Sequence, residues 1–362
     1  MKLQVTQENL NRALSNVARV ASSRNALPIL SNVLVKTVDN RVCVAATNLN
    51  IAITHYIGSK VSEPGAITVP ARLMQDFVSS LSSGVIDIVV DETKLHIKTK
   101  AYNSTINGTP ADDYPVMPQI SNGTSWSVPG NLLKKALQQV VVAASTDDTR
   151  PVLTAVYFHT HKGDLYVVAT DSYRLAERKV IALKEEVSLL IPASAVQDLL
   201  RIMGDGDQLV QVTHDDQQVL FSIGDVELVT RLIDGTYPDY RKLIPSSFQT
   251  TATLPRTELQ NITKVSSLFA RESAGSVTIH VSEDDKQVSI QSVASQLGEN
   301  TATASAEVQG DGSITLNSRY ILDALTVIGD ESVTIGFNGK LEPCVLKGTE
   351  KDYLHVVMPL KS

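Results

Sequence analysis

The chain has 362 residues, of which 43% are hydrophobic and 20% charged. A chain of this length and composition can bury more than one hydrophobic core, which excludes intrinsic disorder and predicts several domains. The 32 basic and 39 acidic residues give a net charge of −7, which argues against a simple basic nucleic-acid binder. The two cysteines, Cys43 and Cys344, are too few for a disulfide framework or a cysteine-rich metal site.

The sequence carries no signal for secretion, membrane insertion or catalysis. Residues 1–10 lack the apolar segment of a signal peptide, and no stretch approaches the ~18 continuous apolar residues of a membrane helix. Phosphate-loop, dinucleotide-binding and nucleophile-elbow motifs are absent, and His159 and His161 have no third metal ligand near them in sequence. We therefore expect a cytoplasmic, non-catalytic protein without cofactor or metal.

The first third of the chain predicts a helix, several strands and a second helix. The first helix begins after Thr6, because Leu10, Ala13, Leu14 and Val17 recur at spacings of three and four. Alternating or β-branched segments predict strands at residues 29–38, 41–47, 85–90 and 95–100. The second helix follows a short alternating strand that ends at Pro70.

The same series of elements returns twice along the chain. Pro129 and Pro255 suit the first turn of the helices that follow them, and two more helices follow Pro192 and Asn317. Further strands are predicted at residues 155–161, 165–170, 209–214, 277–281, 288–293 and 333–337. Each third of the chain therefore has two helices and roughly eight short strands.

Three independent segments repeat at one period, which indicates tandem duplication. Pro70, Pro192 and Asn317 are 122 and 125 residues apart, and the helices that begin near Thr6, Pro129 and Pro255 align at spacings of 123 and 126. The segments at residues 44–53 and 167–176 also match at a spacing of 123. We predict three α+β domains with antiparallel sheets, at residues 1–122, 123–247 and 248–362.

Charge is unevenly distributed over the repeats. Residues 6–24, 129–145 and 255–271 each carry a net charge of +2, so the rest of the chain carries −7 − 6 = −13. If the repeats place these helices on one side, that side could bind phosphates without reading sequence; ordinary solvated helix faces are the alternative. Tandem domains that turn by a constant angle form an arc, and two chains can close it head to tail into a ring lined by twelve helices.

The residues also carry a family resemblance that covers essentially the whole chain. The segments that resemble the bacterial β sliding clamp, the processivity subunit of the replicative DNA polymerase holoenzyme, occur in order at residues 27–35, 64–72, 169–176, 232–245 and 356–361. The resemblance implies three DNA-clamp domains that form half of a ring, a homodimer around double-stranded DNA, and no catalytic activity. It also implies a clamp loader as partner, and a short peptide motif through which the replicative polymerase subunit, other polymerases and mismatch-repair factors bind.

Carried over by motif, the resemblance implies three sets of site residues. The partner-peptide pocket comprises Leu153, Thr170, Ser172, Tyr173, Arg174, Leu175, Pro238, Lys242, Leu243, Asn317, Tyr320, Leu341, Pro343, Val356, Met358, Pro359 and Leu360. The DNA-binding set contains Arg24 and Arg72 by family position, and Arg12, Lys134, Lys135, Lys264 and Arg271 by charge alone. The dimer interface would bring Ile106 against Leu268 or Phe269 of the other chain.

The chain departs from the family pattern at three places. Asp147 stands where a neutral polar residue contacts DNA, Pro151 and Val152 replace an aromatic pair, and Ser172 and Tyr173 differ from other members. Two other functions remain open at this point. One is a repeat-built peptide-binding scaffold that does not encircle DNA, which the net charge favours; the other is an enzyme with an unrecognised site.

Overall fold

The computed structural model describes residues 1–21, 27–294 and 298–360. Within these ranges the chain forms six α-helices, and none of them is long and apolar enough to cross a membrane. The helices are α1 Gln7–Val17, α2 Ala71–Ser80, α3 Gly130–Val140, α4 Ala193–Ile202, α5 Arg256–Phe269 and α6 Ser318–Val327.

The described ranges also contain 26 strands, grouped here by the predicted domains. The first group is β1 Lys2–Thr6, β2 Asn32–Val38, β3 Arg41–Thr47, β4 Ile51–Gly58, β5 Lys60–Glu63, β6 Ala66–Pro70, β7 Val85–Asp91, β8 Lys94–Lys98 and β9 Asn103–Asn107. The second group is β10 Thr124–Pro129, β11 Ala155–His161, β12 Asp164–Thr170, β13 Arg174–Ala182, β14 Ser188–Pro192, β15 Leu209–His214, β16 Gln218–Ile223 and β17 Val226–Arg231. The third group is β18 Thr250–Pro255, β19 Ser276–Ser282, β20 Gln287–Ala294, β21 Gly298–Ser305, β22 Glu307–Gln309, β23 Gly312–Asn317, β24 Ser332–Phe337, β25 Cys344–Lys347 and β26 Tyr353–Val357.

Every α-helix follows directly on a strand, so one strand–helix unit occurs six times. Thr6 caps α1, because its Oγ1 accepts a hydrogen bond from the amide of Asn9. Pro129 and Pro255 do not occupy the first helical turn as predicted; they end the strands β10 and β18, where they pair with Leu209 and Ser332. Sheet pairing at these prolines moves each helix start one residue later.

The predicted strand at residues 29–38 begins later than expected. Residues Pro28–Ser31 form a 3₁₀ turn, and β2 starts at Asn32. Pro28 explains the difference, because its ring fixes φ near the helical value and it lacks the N–H that a strand would use. The alternation after Asn32 is kept, with Val33 and Val35 buried.

Contacts divide the chain into two compact units. The first unit contains residues 1–131 and 197–232, and its sheets have the strand orders β5-β1-β7-β8-β9 and β10-β15-β16-β17-β4-β3-β2-β6. Helices α1 and α2 pack on each other and bury Leu10, Leu14 and Met74. Because residues Val226 to Thr230 of β17 pair with β4, strands of the first two predicted domains share one sheet.

The second unit contains residues 132–196 and 233–362. Its sheets have the strand orders β14-β11-β12-β13-β26-β25-β24-β18-β22 and β21-β20-β19-β23. The pairing of β13 with β26 joins the second and third predicted domains in one nine-stranded sheet, where Phe158 and Phe337 are fully buried. The three domain boundaries given by the repeat remain a prediction, since the sheets run across them.

Candidate partner-binding site and basic helices

The tight turn between β12 and β13 forms the centre of the candidate peptide site. Thr170 Oγ1 donates a hydrogen bond to the carbonyl of Arg174 at 2.6 Å and accepts one from the amide of Ser172 at 3.1 Å. Asp171 Oδ1 accepts from the amides of Tyr173 and Arg174, both at 2.9 Å. Ser172 has φ +79°, a left-handed conformation that these bonds hold in place. The side chain of Tyr173 is left exposed at the tip.

The guanidinium of Arg174 is held by the protein itself. Its Nε donates to Asp171 Oδ2 at 3.1 Å, another of its nitrogens contacts Asp323, and it lies 4.6 Å from the ring centre of Tyr320. Arg174 is buried, so these partners offset the cost of removing its charge from water. The sequence analysis missed Asp171 and this role of Asp323, although Asp323 is one of the three aspartates that recur in the second helix of each repeat.

The segment after β26 lies beside this turn. The amide of Met358 donates to the carbonyl of Tyr173 at 2.8 Å, and the amide of Leu360 donates to the carbonyl of Thr315 at 2.9 Å. Strand β26 pairs with β13 on one side and β25 on the other, so it is an internal strand. Met358, Pro359 and Leu360 are all partly exposed, which leaves their side chains available to a ligand.

Several predicted pocket residues lie in the core instead of on the surface. Leu175 and Val356 are 3% and 1% exposed, and they face each other directly across the β13–β26 pair. They pack in a cluster with Ala155, Val168 and Val345. Leu153 and Thr170 are also buried. These side chains support the site from beneath, because a strand paired on both sides hides one of its faces.

Asn317 is occupied by helix capping. Its Oδ1 accepts from the amide of Arg319 at 2.9 Å, and its Nδ2 donates to the carbonyl of Ala274 at 3.1 Å. It is the N-cap of α6. This predicted pocket residue therefore already has both polar ends of its side chain engaged within the protein. Leu341 and Leu243 are exposed, whereas Pro343 is half-buried.

The segment after β17 is held on the nine-stranded sheet by stacked rings. The ring of Tyr157 lies 4.7 Å from that of Tyr237 and 4.6 Å from that of His159. This stack fixes the exposed residues Pro238 and Lys242, and Lys242 pairs with Asp239 at 2.6 Å. The described residues contain no cluster of three metal-ligating side chains, and His159 serves in ring packing.

A group of polar and charged side chains also holds the segment after β17 on the nine-stranded sheet. His159 Nε2 lies 2.7 Å from the hydroxyl of Tyr240, which in turn donates to Glu177. The guanidinium of Arg241 lies 3.0 Å from Glu177 and 4.4 Å from the ring centre of Tyr166. Burial, with the charge of Arg241 as a second cause, lowers the pKa of His159 to about 4. These contacts attach the segment to the nine-stranded sheet.

The basic residues predicted to bind DNA differ in their exposure and in the contacts they already make within the protein. Arg72 is 96% exposed, and its contact with Asp76 is long, at 4.0 Å. Arg12, Lys264 and Arg271 are exposed. Lys134 is half-buried and already interacts with another group of the protein. Arg24 lies outside the described residues.

Lys135 is committed to a structural ion pair. It contacts Glu350, which also contacts Arg178, and Arg178 donates to Gln139 at 3.1 Å. The two basic partners hold the pKa of Glu350 below its usual value. Lys135, which was predicted to contact DNA by charge alone, therefore has its charge balanced within the protein.

Asp147, the first departure from the family pattern, has a local role. Its amide donates to Ser145 Oγ at 3.0 Å, and its Oδ1 accepts from the amide of Thr149 at 3.0 Å. The bond from Thr149 lowers the pKa of Asp147, so the side chain is ionised at neutral pH. Val152, part of the second departure, packs against the stacked rings of the nine-stranded sheet.

The predicted dimer residues lie on or beside unpaired sheet edges. Ile106 lies in β9, which among the described strands pairs with β8 alone, and its side chain is buried. Leu268 is 49% exposed and Phe269 half-buried at the end of α5, which packs on β20 and the edge strand β21. Among the described strands, β9 and β21 each end a sheet with one backbone edge free.

Comparisons with known proteins agree along the whole chain. Three domains of the DNA polymerase III beta subunit match in order, the N-terminal domain at residues 1–118, the central domain at 127–239 and the C-terminal domain at 241–361. The beta sliding clamps of Bacillus subtilis and Staphylococcus aureus are 29% and 28% identical, with all of both chains covered in each comparison.

Solved structures show the same fold. The sliding clamp of Bacillus subtilis matches with a TM-score of 0.94 at 28% identity, over 100% of this chain and 99% of that one. The beta subunit of Thermotoga maritima gives 0.93 at 26%, over 100% and 99%. The Pseudomonas aeruginosa sliding clamp, which was solved bound to griselimycin, gives 0.95 at 26% over the whole of both chains. The chain belongs to the DNA polymerase III beta subunit family, the bacterial sliding clamps.

Proposed function

We propose that two copies of this chain close head to tail into a ring around duplex DNA and tether a DNA polymerase to it. The family is that of a non-catalytic processivity factor. The observation that carries the proposal is the run of three sliding-clamp domains in one chain, together with two of the eight strands that end the described sheets, β9 near its start and β21 near its end. Encirclement needs only weak phosphate contacts, which suits a chain of net charge −7.

In the proposed head-to-tail arrangement, β9 of one copy pairs with β21 of the other, and both strands end a sheet in the single chain. A free strand edge presents N–H and C=O groups that another strand can satisfy. Two different edges, one at each end, make a heterologous contact, and such contacts close when the rotation per copy divides the circle. The expected mass is 2 × 39.1 = 78 kDa. Light scattering tests this, and a persistent monomer at micromolar concentration would contradict it.

The turn Thr170–Arg174, the tail Met358–Leu360 and the exposed Leu341 and Leu243 form the proposed peptide site. Exposed apolar side chains, together with a polar turn held by its own hydrogen bonds, suit an extended peptide with leucine or phenylalanine anchors. The proposed ligands are segments of the replicative polymerase, other polymerases, mismatch-repair factors and an ATP-driven clamp loader. The proposed location is the cytoplasm, where the replicative machinery of bacteria works.

We expect Met358→Ala to weaken binding of the polymerase peptide about tenfold, because the lost thioether contact is worth roughly 1–2 kcal/mol at an interface anchor. The dimer should survive, since Met358 lies beside the turn Thr170–Arg174 and belongs to neither β9 nor β21. Fluorescence anisotropy with a labelled polymerase C-terminal peptide measures the affinity. Val293→Ala, at an exposed residue of β20, is the matched control. Unchanged affinity for Met358→Ala would remove Met358 from the site.

We expect Arg72→Glu with Lys264→Glu to shorten the residence of loaded protein on nicked circular DNA, because both exposed charges would face phosphates. Each lost phosphate contact should also reduce, by about one, the slope with which the logarithm of the binding constant falls against the logarithm of the salt concentration. Lys162→Glu with Lys184→Glu, the same total charge change at two exposed residues outside the α-helices, is the control. If the double variant and the control behave alike, the basic helices do not line the hole.

A further inference from the structure

The turn between β3 and β4 repeats, 123 residues earlier, the geometry of the turn Thr170–Arg174. Thr47 Oγ1 donates to the carbonyl of Ile51 at 2.9 Å. Asn48 Oδ1 accepts from the amide of Ile51 at 2.8 Å, and Leu49 adopts φ +75°. The hydrogen bonds and the left-handed residue thus occupy equivalent positions in both turns. The duplication has preserved a backbone shape as well as a sequence pattern.

A neighbouring strand end is held in the same way in both places. The amide of Arg231, at the end of β17, donates to the carbonyl of Asn50 at 2.9 Å. The amide of Met358, just after β26, donates to the carbonyl of Tyr173 at 2.8 Å. Asn50 and Tyr173 are 123 residues apart, so Arg231 occupies the position that Met358 occupies in the other copy.

A Tyr-Pro pair accompanies both turns. Tyr114 and Tyr237 are 123 residues apart, both are buried, and each is followed by an at least partly exposed proline, Pro115 or Pro238. The hydroxyl of Tyr114 accepts from the amide of Thr47 at 3.2 Å, which fixes the segment on the turn. The segment after Tyr114 therefore corresponds to the segment after Tyr237.

These elements enclose a cavity of about 500 Å³ within the first compact unit. We call this cavity the second pocket. Its lining includes Leu49, Asn50, Val116, Gln218 and Arg231, and no aspartate or glutamate lines it. Val116 is 93% exposed, and Leu49 is also exposed. In the described part of the chain, no carboxylate lies within ion-pair distance of the exposed Arg231. An apolar rim and an unbalanced positive charge thus meet in one concave site.

We propose that the second pocket binds an extended, acidic segment of a partner protein. An apolar side chain of the segment packs on Leu49 and Val116, while its carboxylate pairs with Arg231. The side-chain amides of Asn50 and Gln218 hydrogen-bond its backbone. The first site presents Met358 where this one presents Arg231, so the two sites select different peptides although their backbones are alike.

Methyl NMR on protein labelled at leucine, valine and methionine methyl groups tests the proposal on the intact dimer. The probe is the acetylated, amidated peptide Gly-Glu-Leu-Ser-Leu-Gly. We expect saturable shifts of the Leu49 and Val116 methyl groups with a Kd of roughly 0.1–1 mM. The same peptide with lysine in place of glutamate should bind at least about fivefold more weakly, since it meets Arg231 with like charge.

Two variants separate this site from the first one. Arg231→Glu should reverse the preference between the glutamate and lysine peptides, and Val116→Ser should weaken both, while the Met358 methyl signals stay those of the folded protein. Equal affinity of the two peptides, or no saturable shift at Leu49 and Val116, would overturn the proposal. Displacement of the peptide by inorganic phosphate or a DNA duplex at lower concentration would show a general anion site and also overturn it. None of these outcomes bears on the ring or on the Met358 site.

Discussion

Leu268→Asp should convert the dimer into a monomer and abolish stable retention on circular DNA. Leu268 is 49% exposed in the single chain and is proposed to be covered by the partner copy. Losing that contact and placing a carboxylate in an apolar seam costs about 3 kcal/mol. A closed ring has two such seams and dissociation opens both, so the dimer dissociation constant should rise by roughly 10⁴-fold. Light scattering at micromolar concentration measures the change, from 78 to 39.1 kDa.

The matched control is Leu209→Asp, which introduces the same charge at an exposed leucine of β15. It should remain dimeric and stay on nicked circular DNA after loading, while both proteins should leave linear DNA quickly. The Leu268 variant should still bind the polymerase peptide, because the peptide site lies within one chain. A dimeric Leu268→Asp protein would show that the seam lies elsewhere.

Local patterns predicted the helices and most strands well. The helices α1, α3 and α5 begin at residues 7, 130 and 256, which reproduces the repeat spacings of 123 and 126. Periodicity of apolar residues needs only the chain's own neighbours, and helix starts depend on one or two residues, so both are readable from sequence. The errors at Pro28, Pro129 and Pro255 arose because a proline fits the end of a strand as well as a helical turn.

Strand neighbours and side-chain partners could not be predicted in this way. Leu175 and Val356 were both predicted to line the peptide pocket. They bury each other instead, because β13 and β26 are adjacent strands that pair residues 181 positions apart in sequence. The ion pairs of Arg174 with Asp323 and of Lys135 with Glu350 also join residues that are far apart in sequence. The family resemblance named the positions but not which of their side chains face solvent.

The second pocket shows a signal that the sequence did contain. The match between residues 44–53 and 167–176 pointed to a shared structure, but only the second copy was given a function. The Tyr-Pro pairs at Tyr114 and Tyr237 share the same spacing of 123 and would have strengthened it. These matches alone do not predict a binding site, because the cavity is lined by residues of β17 and of the turn before β4, which the pairing of β17 with β4 brings together.

Acidification from pH 8 to pH 5 should destabilise the fold by about 6 kcal/mol through three buried histidines. Burial lowers the pKa of His55 and His159 to about 4 each and that of His355 to about 3. Each folded pKa lies below the unfolded value of roughly 6.5, so below that value the unfolded chain binds more protons. Stability is therefore complete above about pH 7 and falls as the pH decreases, by about 2 kcal/mol per histidine at pH 5.

Urea unfolding of the Leu268→Asp protein at pH 8 and pH 5 measures this loss without the contribution of dimer dissociation. Replacing one buried histidine, as in His55→Asn, should remove about 2 kcal/mol of the difference between the two pH values, whatever the substitution costs at pH 8. His280→Gln, at an exposed position of β19, should leave the difference unchanged. Paired carboxylates such as Glu350, whose pKa is lowered, lose their contribution only as the pH falls below the usual carboxyl range. A free energy of unfolding that stays constant between pH 8 and pH 5 would mean that these histidines bind protons inside the folded protein.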